Sequence, residues 1–328
     1  MNKRSLLLLP FILWALLLQA QSDSTFAERL GFPRGAKVLI LHVDDAGMSF
    51  DSNEGTRRAL TEGAANSCSV MMTCPWVPGF LRFLKDHPKV DAGLHLTLTS
   101  EWKSYRWGPL AGKPAVPGLV DSQGALWPAV ADVVRSASPE EVGKEIRAQL
   151  ERARAMGFEP THFDSHMGTL FATPAFLQQY LRLGMEEQIP VMFPGGHATL
   201  IGAQNGLSPV QRAELKAAGT LLWNAGLPVL DDLHNATYDW QPPRLPVPAN
   251  YKSARYIAAL KELKPGLTMM IMHCTAPTET FHHISDSGPS RRADLEAMLD
   301  PAFRQALQRE GIVLTTWREL LQRRQGTK

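Results

Sequence analysis

Short apolar runs alternate with amphipathic helical stretches along this chain, and that alternation constrains its fold more than any other feature. Apolar runs typical of buried strands cover residues 37–42, 67–73, 91–96, 160–164, 189–193, 268–272 and 312–315. Helical patterns lie at residues 53–61, 78–86, 139–156 and 174–187. Because a helix that follows a strand returns the chain for a further parallel strand, this order predicts an α/β fold on a parallel sheet.

Two segments depart from the alternation. Residues 100–127 are rich in Pro and Gly and lack periodicity, which predicts a long inserted loop. Residues 202–250 are also rich in Gly and Pro, and we interpret them as an excursion from the repeating pattern. No boundary of a second domain is evident in the sequence. We therefore expect residues 21–328 to form a single domain with long inserted loops.

The first 20 residues have the pattern of a secretory signal peptide. Lys3 and Arg4 precede an apolar run from Leu6 to Leu18, and Ala20 offers a small residue at a cleavable position. The run is shorter than the roughly 20 residues that span a bilayer, which favours cleavage over a retained anchor. No later segment is long and apolar enough to cross a membrane. We expect a mature protein in the periplasm or outside the cell.

Charge and cysteine content exclude further classes of function. The chain has 34 Lys and Arg residues against 32 Asp and Glu, and its net charge of +2 gives no electrostatic reason to expect nucleic acid as a partner. Cys68, Cys74 and Cys274 are too few and too scattered for a disulfide framework or a cysteine-based zinc site. An oxidising compartment could pair two of them, and the sequence does not indicate which.

Acidic side chains follow the first predicted strand at its end. Asp44 and Asp45 are adjacent, and neighbouring carboxylates repel each other unless a cation lies beside them. Adjacent strand residues point to opposite faces, so both acids can serve one site only if the backbone turns, which Gly47 permits. A cation would then take one acid as a ligand and leave the other as a base. The alternative is a solvated turn that caps a helix.

Histidines occupy the ends of two further strands. His95 alternates with leucines and so faces away from their side. A lone histidine of this kind is more often structural than a ligand. His162, Asp164 and His166 project to one face of an extended segment. Two imidazoles near a carboxylate suit a metal ligand whose tautomer an acid fixes, and a polar loop is the alternative.

His273 ends a late apolar strand, either as a core histidine or as a proton donor or substrate contact. Nothing in the sequence marks the thiol of Cys274 beside it as activated. Four such strand ends fit one site at the C-terminal face of an α/β barrel or sheet. Together they supply one Asp and two His for a metal, with an acid and an imidazole left over for hydrolysis.

The sequence resembles the YdjC-like carbohydrate deacetylases, a family that includes chito-oligosaccharide deacetylases. The resemblance rests on Asp44-Asp45-Ala46-Gly47 (where the family has Asp-Asp-Phe-Gly), Gly93-Leu94-His95-Leu96, His162-Phe163-Asp164-Ser165-His166 and, more weakly, the strand that ends at His273. It implies a deformed (β/α) TIM-like barrel. It also implies the removal of N-acetyl groups from amino sugars by a hydrolase that depends on a divalent metal.

The resemblance implies a role for each of these residues. Asp45, His95 and His166 are the expected ligands of one divalent cation, Mg or Zn. Asp44 is the expected base, and His273 the expected general acid. The expected partner is an N-acetylated oligosaccharide or glycan.

Further side chains are candidates for support or substrate contact. Asp164 would hold a ligand histidine in place, and His162 would line the site or bond the substrate. The loop at 100–127 carries four aromatic residues, which either stack on sugar rings or pack on their own core: Trp102, Tyr105, Trp107 and Trp127. Of these, Trp107 is our candidate substrate contact.

Other functions remain open at this point. A phosphoester or amide hydrolase could use the same scaffold. A phosphoesterase would want basic residues near the metal, and the motifs contain none, although Arg291 and Arg292 lie downstream. A catalytically dead, secreted glycan-binding protein would be marked by a lost ligand, and none is lost. Oxidation by Fe(II) could use the same ligand set, but the second Asp favours hydrolysis.

Overall fold

The computed structural model describes residues 24–240 and 251–326, so the expected signal peptide at residues 1–20 lies outside it. Its sheet contains seven parallel strands in the order β4-β3-β2-β1-β6-β5, with β7 paired to the start of β1. The strands are β1 (Lys37–Ala46), β2 (Ser67–Val70), β3 (Ala92–Leu96), β4 (Phe163–Ser165), β5 (Asp232–His234), β6 (Gly266–Met272) and β7 (Val313–Leu314). The prediction of an α/β fold on a parallel sheet is confirmed.

Two isolated parallel bridges extend the sheet beyond its edge strands. Val191 pairs with Phe163 of β4, and Pro194 pairs with Leu230, just before β5. The sheet therefore curls into a deformed barrel, as predicted. The strand expected at residues 189–193 is reduced to these bridges, because Pro190 and Pro194 cannot donate ladder hydrogen bonds.

Helices surround the barrel. They are α1 (Phe26–Arg29), α2 (Phe50–Thr61), α3 (Val77–Asp86), α4 (Val130–Ser136), α5 (Pro139–Ala155), α6 (Pro174–Glu187), α7 (Thr199–Gln204), α8 (Pro209–Asn224), α9 (Tyr251–Glu262), α10 (Gly288–Leu299), α11 (Pro301–Arg309) and α12 (Trp317–Gly326). The four predicted helices are confirmed, within a few residues at their ends. α5 begins with a capping box between Ser138 and Glu141 and buries Val142, Ile146 and Leu150 along one face.

The segment from residue 202 is more regular than its composition predicts. It contains α8 and β5, and residues 241–250 lie outside the described part. α8 starts at the N-cap Ser208 with Pro209 in its first turn and Gln211 completing a capping box, so the sequence does carry this signal. β5 has only three residues and no apolar run, which explains why periodicity does not reveal it.

Alternate residues of β1 face two different cores. Leu39 and Leu41 pack in the larger core with the surrounding helices, whereas Val38 and Ile40 pack in a smaller cluster with Trp317. His42 and Asp44 continue the face of this smaller cluster along the strand. The barrel interior is therefore apolar at its base and polar at the C-terminal ends of its strands.

Among the residues that the structure describes, no helix combines the length and apolarity needed to cross a bilayer. Cys68, Cys74 and Cys274 are all buried and free of disulfide bonds. Burial raises the pKa of each thiol well above its usual range, so none is poised as a nucleophile.

Candidate functional site

A bulge at the end of β1 brings both carboxylates of the Asp pair to one site. The register with β2 shifts between Val43 and Ala46, and Asp45 adopts a φ of 67°. A non-glycine residue in this left-handed region costs about 1–3 kcal/mol. The turn frees Asp45 from the alternation that would send it to the outer face. Gly47, with a φ of 84°, completes the turn.

Asp45, His95 and His166 converge at the C-terminal end of the barrel, and we call them the trio. His95 Nε2 lies 3.3 Å from Asp45 Oδ1 and 3.2 Å from His166 Nδ1, and His166 Nδ1 lies 3.4 Å from Asp45 Oδ1. All three side chains are buried, and within the described ranges Asp45 Oδ1 has no hydrogen-bond partner. Ligand atoms about 2.0–2.2 Å from one cation lie roughly 2.8–3.6 Å apart. The trio therefore fits a single divalent cation.

Two carboxylates determine which nitrogen each imidazole presents to the trio. His95 Nδ1 lies 2.7 Å from Asp164 Oδ1, and His166 Nε2 lies 3.1 Å from Glu101 Oε2. A carboxylate on the far nitrogen orients a metal-binding imidazole and increases its basicity. Asp164 is a predicted residue. Glu101 was not predicted, because it lies in the irregular loop, where no periodicity indicates the direction of a side chain.

Asp44 and His273 lie beside the trio. Asp44 Oδ2 is 3.8 Å from His95 Nε2 and 3.8 Å from His273 Nε2, and Asp44 Oδ1 is 3.2 Å from His42 Nε2. Burial and then the charge of Arg291 lower the pKa of His273. The resting imidazole of His273 is therefore neutral at pH 7.

Arg291 of α10 contributes a buried cation. Its Nη1 donates to Asp45 Oδ2 at 2.6 Å, and its Nε donates to Ser287 Oγ at 2.8 Å. Burial alone would raise the pKa of Asp45, but Arg291 and the two imidazoles of the trio hold it well below its usual range. From the sequence, Arg291 is recognisable only as a basic residue downstream of the motifs. The two residues are 246 positions apart, and no local pattern links them.

The metal-free trio holds protons. Burial alone would lower the pKa of His166, but Glu101 and Asp45 outweigh it and raise that pKa to about 9. Burial likewise opposes the charged form of His95, and Asp164 and Asp44 raise its pKa well above the usual range. A cation that binds here must displace these protons.

His162 lies deeper in the barrel than the trio and is fully buried. Its ring stacks on Trp317 with centroids 5.2 Å apart and meets the edge of His42 at 5.0 Å. A Cβ at Gly93 would lie 2.6 Å from this ring, so the glycine of the second motif makes room for it.

Trp107 is buried in the loop at 100–127, and its Nε1 donates to the carbonyl oxygen of Thr99 at 2.9 Å. Trp102 and Tyr105 pack edge-on against it, with ring centroids 5.4 and 6.0 Å away. In this structure the loop packs on an aromatic core of its own.

An exposed aromatic pair lies close to the ends of two strands. Phe50 is the first residue of α2, which follows β1, and Trp76 directly precedes α3, which follows β2. Phe50 and Trp76 are 52% and 45% exposed, and their ring centroids are 5.5 Å apart. Asn53 connects the pair to the site, because its side chain accepts from Gly47 N at 2.6 Å and donates to Trp76 O at 3.0 Å. Neither of these two residues was predicted from the sequence.

Comparison with known proteins finds similar sequences and a similar solved structure. A family model described as YdjC-like protein matches residues 38–309. A carbohydrate deacetylase from Thermus thermophilus is 32% identical over 280 residues, which cover 85% of this chain and 92% of that protein. A chitooligosaccharide deacetylase from Yersinia enterocolitica is 30% identical over 135 residues, or 40% of this chain and 49% of that protein.

A solved structure shares the fold. It is a protein from Enterococcus faecalis described as a candidate for cellobiose-phosphate cleavage, with a TM-score of 0.71 at 21% identity. The alignment covers 87% of this chain and 99% of that one. Because the family model spans most of the sequence and the Thermus thermophilus relative aligns over nearly its full length, this chain belongs to the YdjC-like protein family.

Proposed function

We propose that this protein is a metal-dependent carbohydrate deacetylase that removes N-acetyl groups from amino sugars. The observation that carries the proposal is the trio of Asp45, His95 and His166 with a second carboxylate, Asp44, beside it. Hydrolysis of an amide needs an activated water and a base, and this arrangement supplies a place for both. The names of the Thermus thermophilus and Yersinia enterocolitica relatives support the reaction class.

The trio would hold the cation. A divalent cation bound there would supply Lewis-acid activation of water and of the acetyl carbonyl, together with electrostatic stabilisation of the developing oxyanion. Two imidazoles and one carboxylate are a ligand set typical of hydrolytic zinc sites. Mg binding would require additional oxygen ligands, such as water.

The remaining residues move the protons. Asp44 Oδ2 faces His95 and His273, and it accepts a proton from the attacking water. The C–N bond of the amide then breaks, and the amine nitrogen must take up a proton. His273 Nε2 lies 3.8 Å from the same carboxylate oxygen. Because the resting imidazole is neutral, it can take the proton from Asp44 and pass it to the leaving amine.

The exposed aromatic pair supports a carbohydrate substrate. Sugar rings bury their C–H faces against aromatic rings, and exposed apolar patches beside a site are typical of ligand contact. Phe50 and Trp76 lie at the barrel face that carries the trio, so a sugar unit next to the reacting one could stack there. We therefore propose an N-acetylated oligosaccharide as the substrate, and, from the pattern of residues 1–20, a periplasmic or secreted location.

The site contains a basic residue, Arg291, as a phosphoesterase would need. The surroundings of Arg291 nevertheless favour the deacetylase. Arg291 is 3% exposed and its guanidinium is engaged by Asp45 and Ser287. A phosphate group would need a cation whose charge is not already paired with a buried carboxylate.

Release of acetate tests the proposal directly. The purified protein is stripped of metal, reloaded with Mg, Mn, Co or Zn, and incubated with a panel of N-acetylated monosaccharides and oligosaccharides. We expect metal-dependent acetate that is lost in His166→Ala together with the bound metal, whereas the exposed-histidine control His87→Ala keeps both. Tight metal without acetate would refute the acetyl-sugar assignment. Absence of both metal and acetate would favour a glycan-binding protein.

A further inference from the structure

His42 connects the two carboxylates that flank the trio. It is fully buried, and its Nε2 lies 3.2 Å from Asp44 Oδ1 and 2.9 Å from Asp164 Oδ2. The other oxygen of Asp164 bonds His95 Nδ1 at 2.7 Å, and the other oxygen of Asp44 faces His273. One imidazole therefore contacts both the proposed base and the acid that orients a proposed ligand.

The contacts of His42 Nδ1, on the ring edge away from the two carboxylates, indicate that this nitrogen carries a proton. Its Nδ1 is 2.9 Å from Ser67 Oγ, and Ser67 donates its only hydroxyl proton to Asp91 Oδ2 at 2.8 Å. Asp91 is an acceptor here, since it also takes the backbone N–H groups of Trp317 and Arg318. Ser67 Oγ must therefore accept from Nδ1, which requires a proton on that nitrogen.

The near edge of the ring favours a second proton. His42 Nε2 lies close to one oxygen of Asp44 and one of Asp164, and a lone pair on that nitrogen would repel both carboxylates. Ser69 Oγ, 3.1 Å from the same nitrogen, accepts the hydrogen bond of a protonated Nε2. Protons on both nitrogens give the imidazole a positive charge.

The charges around His42 agree with this assignment. Burial alone would lower the pKa of His42, but Asp164 and Asp44 outweigh it and raise that pKa to about 9. His162, which meets the ring of His42, responds in the opposite direction: burial and then the charge of His42 hold its pKa well below the usual range. The groups that face His42 are thus two carboxylates, the two hydroxyls on β2 and one neutral imidazole.

We infer that the His42 imidazolium is a positioning residue for the reaction. It holds Asp44 Oδ1, so that Oδ2 faces the reacting water, and it holds Asp164 Oδ2, so that Oδ1 orients His95. Without it, Asp44 Oδ1 and Asp164 Oδ2 would both lose the buried positive charge that lies beside them. The inference rests on the proposed function for the role of Asp44, whereas the protonation state of His42 does not depend on any activity.

Nuclear magnetic resonance of the full chain, labelled with ¹⁵N and ¹³C at histidine, tests the protonation state. The His42 signals are assigned by their loss in His42→Gln. We expect both ring nitrogens to carry protons from about pH 6 to about pH 8, whether or not Zn is added. A ring with a single protonated nitrogen across that range would overturn the inference, even if the protein deacetylates sugars.

Kinetics with saturating metal test the positioning role. In His42→Gln we expect kcat to fall about 10–100-fold while KM changes less than about 3-fold. The acidic limb of the pH profile should move to higher pH, because a positive charge no longer opposes protonation of the adjacent carboxylates. Exposed His87 gives the matched control, His87→Gln.

Ser67→Ala is the second variant, in case His42→Gln fails to fold. It removes the acceptor of Nδ1 and leaves the imidazole in place, so we expect a smaller fall in kcat and an easier loss of the His42 proton as pH rises. A folded Ser67→Ala protein with unchanged kcat and an unchanged His42 titration would contradict the inference. So would a folded His42→Gln protein with the wild-type pH profile.

Discussion

Glu101 accepts a hydrogen bond from His166 Nε2 at 3.1 Å, and this contact leaves Nδ1 of the imidazole facing Asp45 and His95. The long loop at residues 100–127 therefore contributes a side chain, Glu101, to the site. Burial alone would raise the pKa of Glu101, but His166 outweighs it and lowers that pKa, so the carboxylate is ionised at neutral pH.

Replacement of Glu101 by Gln should weaken metal binding. The amide keeps the shape but loses the charge that orients His166 and increases its basicity, and we expect a loss of about 10–100-fold in affinity for Zn. Isothermal titration calorimetry measures it, with Glu151→Gln on the exposed face of α5 as the control for a lost charge. Equal affinities in the two variants would show that Glu101 does not support the centre.

Substitution should distinguish the roles of the two adjacent acids, Asp44 and Asp45. In Asp44→Asn we expect kcat to fall about 10²–10⁴-fold with metal still bound, because the base is lost but the trio is intact. In Asp45→Asn we expect loss of the metal itself, because a ligand is lost. Metal content by mass spectrometry and acetate release under saturating metal distinguish the two. Loss of metal from Asp44→Asn alone would exchange the two assignments.

Removal of Arg291 should destabilise the metal-free protein more than the metal-bound one. Arg291→Met leaves Asp45 buried without its cation, and losing one partner of a buried pair typically costs about 3–5 kcal/mol. A bound metal would restore a neighbouring positive charge, so Zn should raise the melting temperature of this variant more than that of the wild type. Arg292→Met, at an exposed neighbouring arginine, is the control. An equal loss of stability in Arg291→Met with and without Zn would contradict this prediction.

Stability of the metal-free protein should fall as the pH rises from about 6.5 to about 9. The folded-state pKa values of His42 and His166 are both raised to about 9. Their contribution is complete below the unfolded pKa of about 6.5 and disappears as the pH passes the folded value. Zn competes with the proton on His166, so the stabilisation that it adds should grow over the same range. Urea unfolding at several pH values, with and without Zn, measures both slopes, and a metal-free slope of opposite sign would refute the prediction.

The exposed aromatic pair should affect binding and not chemistry. In Trp76→Ala we expect KM for N-acetylated oligosaccharides to rise roughly 2–10-fold, with kcat unchanged, because a stacking contact is lost. A monosaccharide should be unaffected, since it would not reach the pair. Leu221→Ala, at an apolar residue of α8 that is 53% exposed, is the matched control. An equal rise in KM for the monosaccharide would place Trp76 at the reacting sugar instead.

Local patterns in the sequence predict much of this fold. Apolar runs predict β1, β3 and β6, and helical periodicity predicts α5, because both patterns depend on neighbouring residues. β5 escapes prediction because three residues carry no period. α8, in contrast, does carry a local signal, because its capping box can be recognised in the sequence.

The order of strands and helices and the residue types that end the strands follow from local sequence patterns, and a family resemblance assigns roles to those residues. Three features emerge only from the folded chain: Asp45 leaves the strand alternation at a φ of 67°, Glu101 orients His166 from 65 residues away, and Arg291 pairs with Asp45 across 246 residues. The folded chain also decides the charge of His42, which depends on the acceptors that three strands place around one ring. The physical reason is that a local pattern encodes periodicity, whereas a buried charge is set by whichever distant groups the fold packs against it.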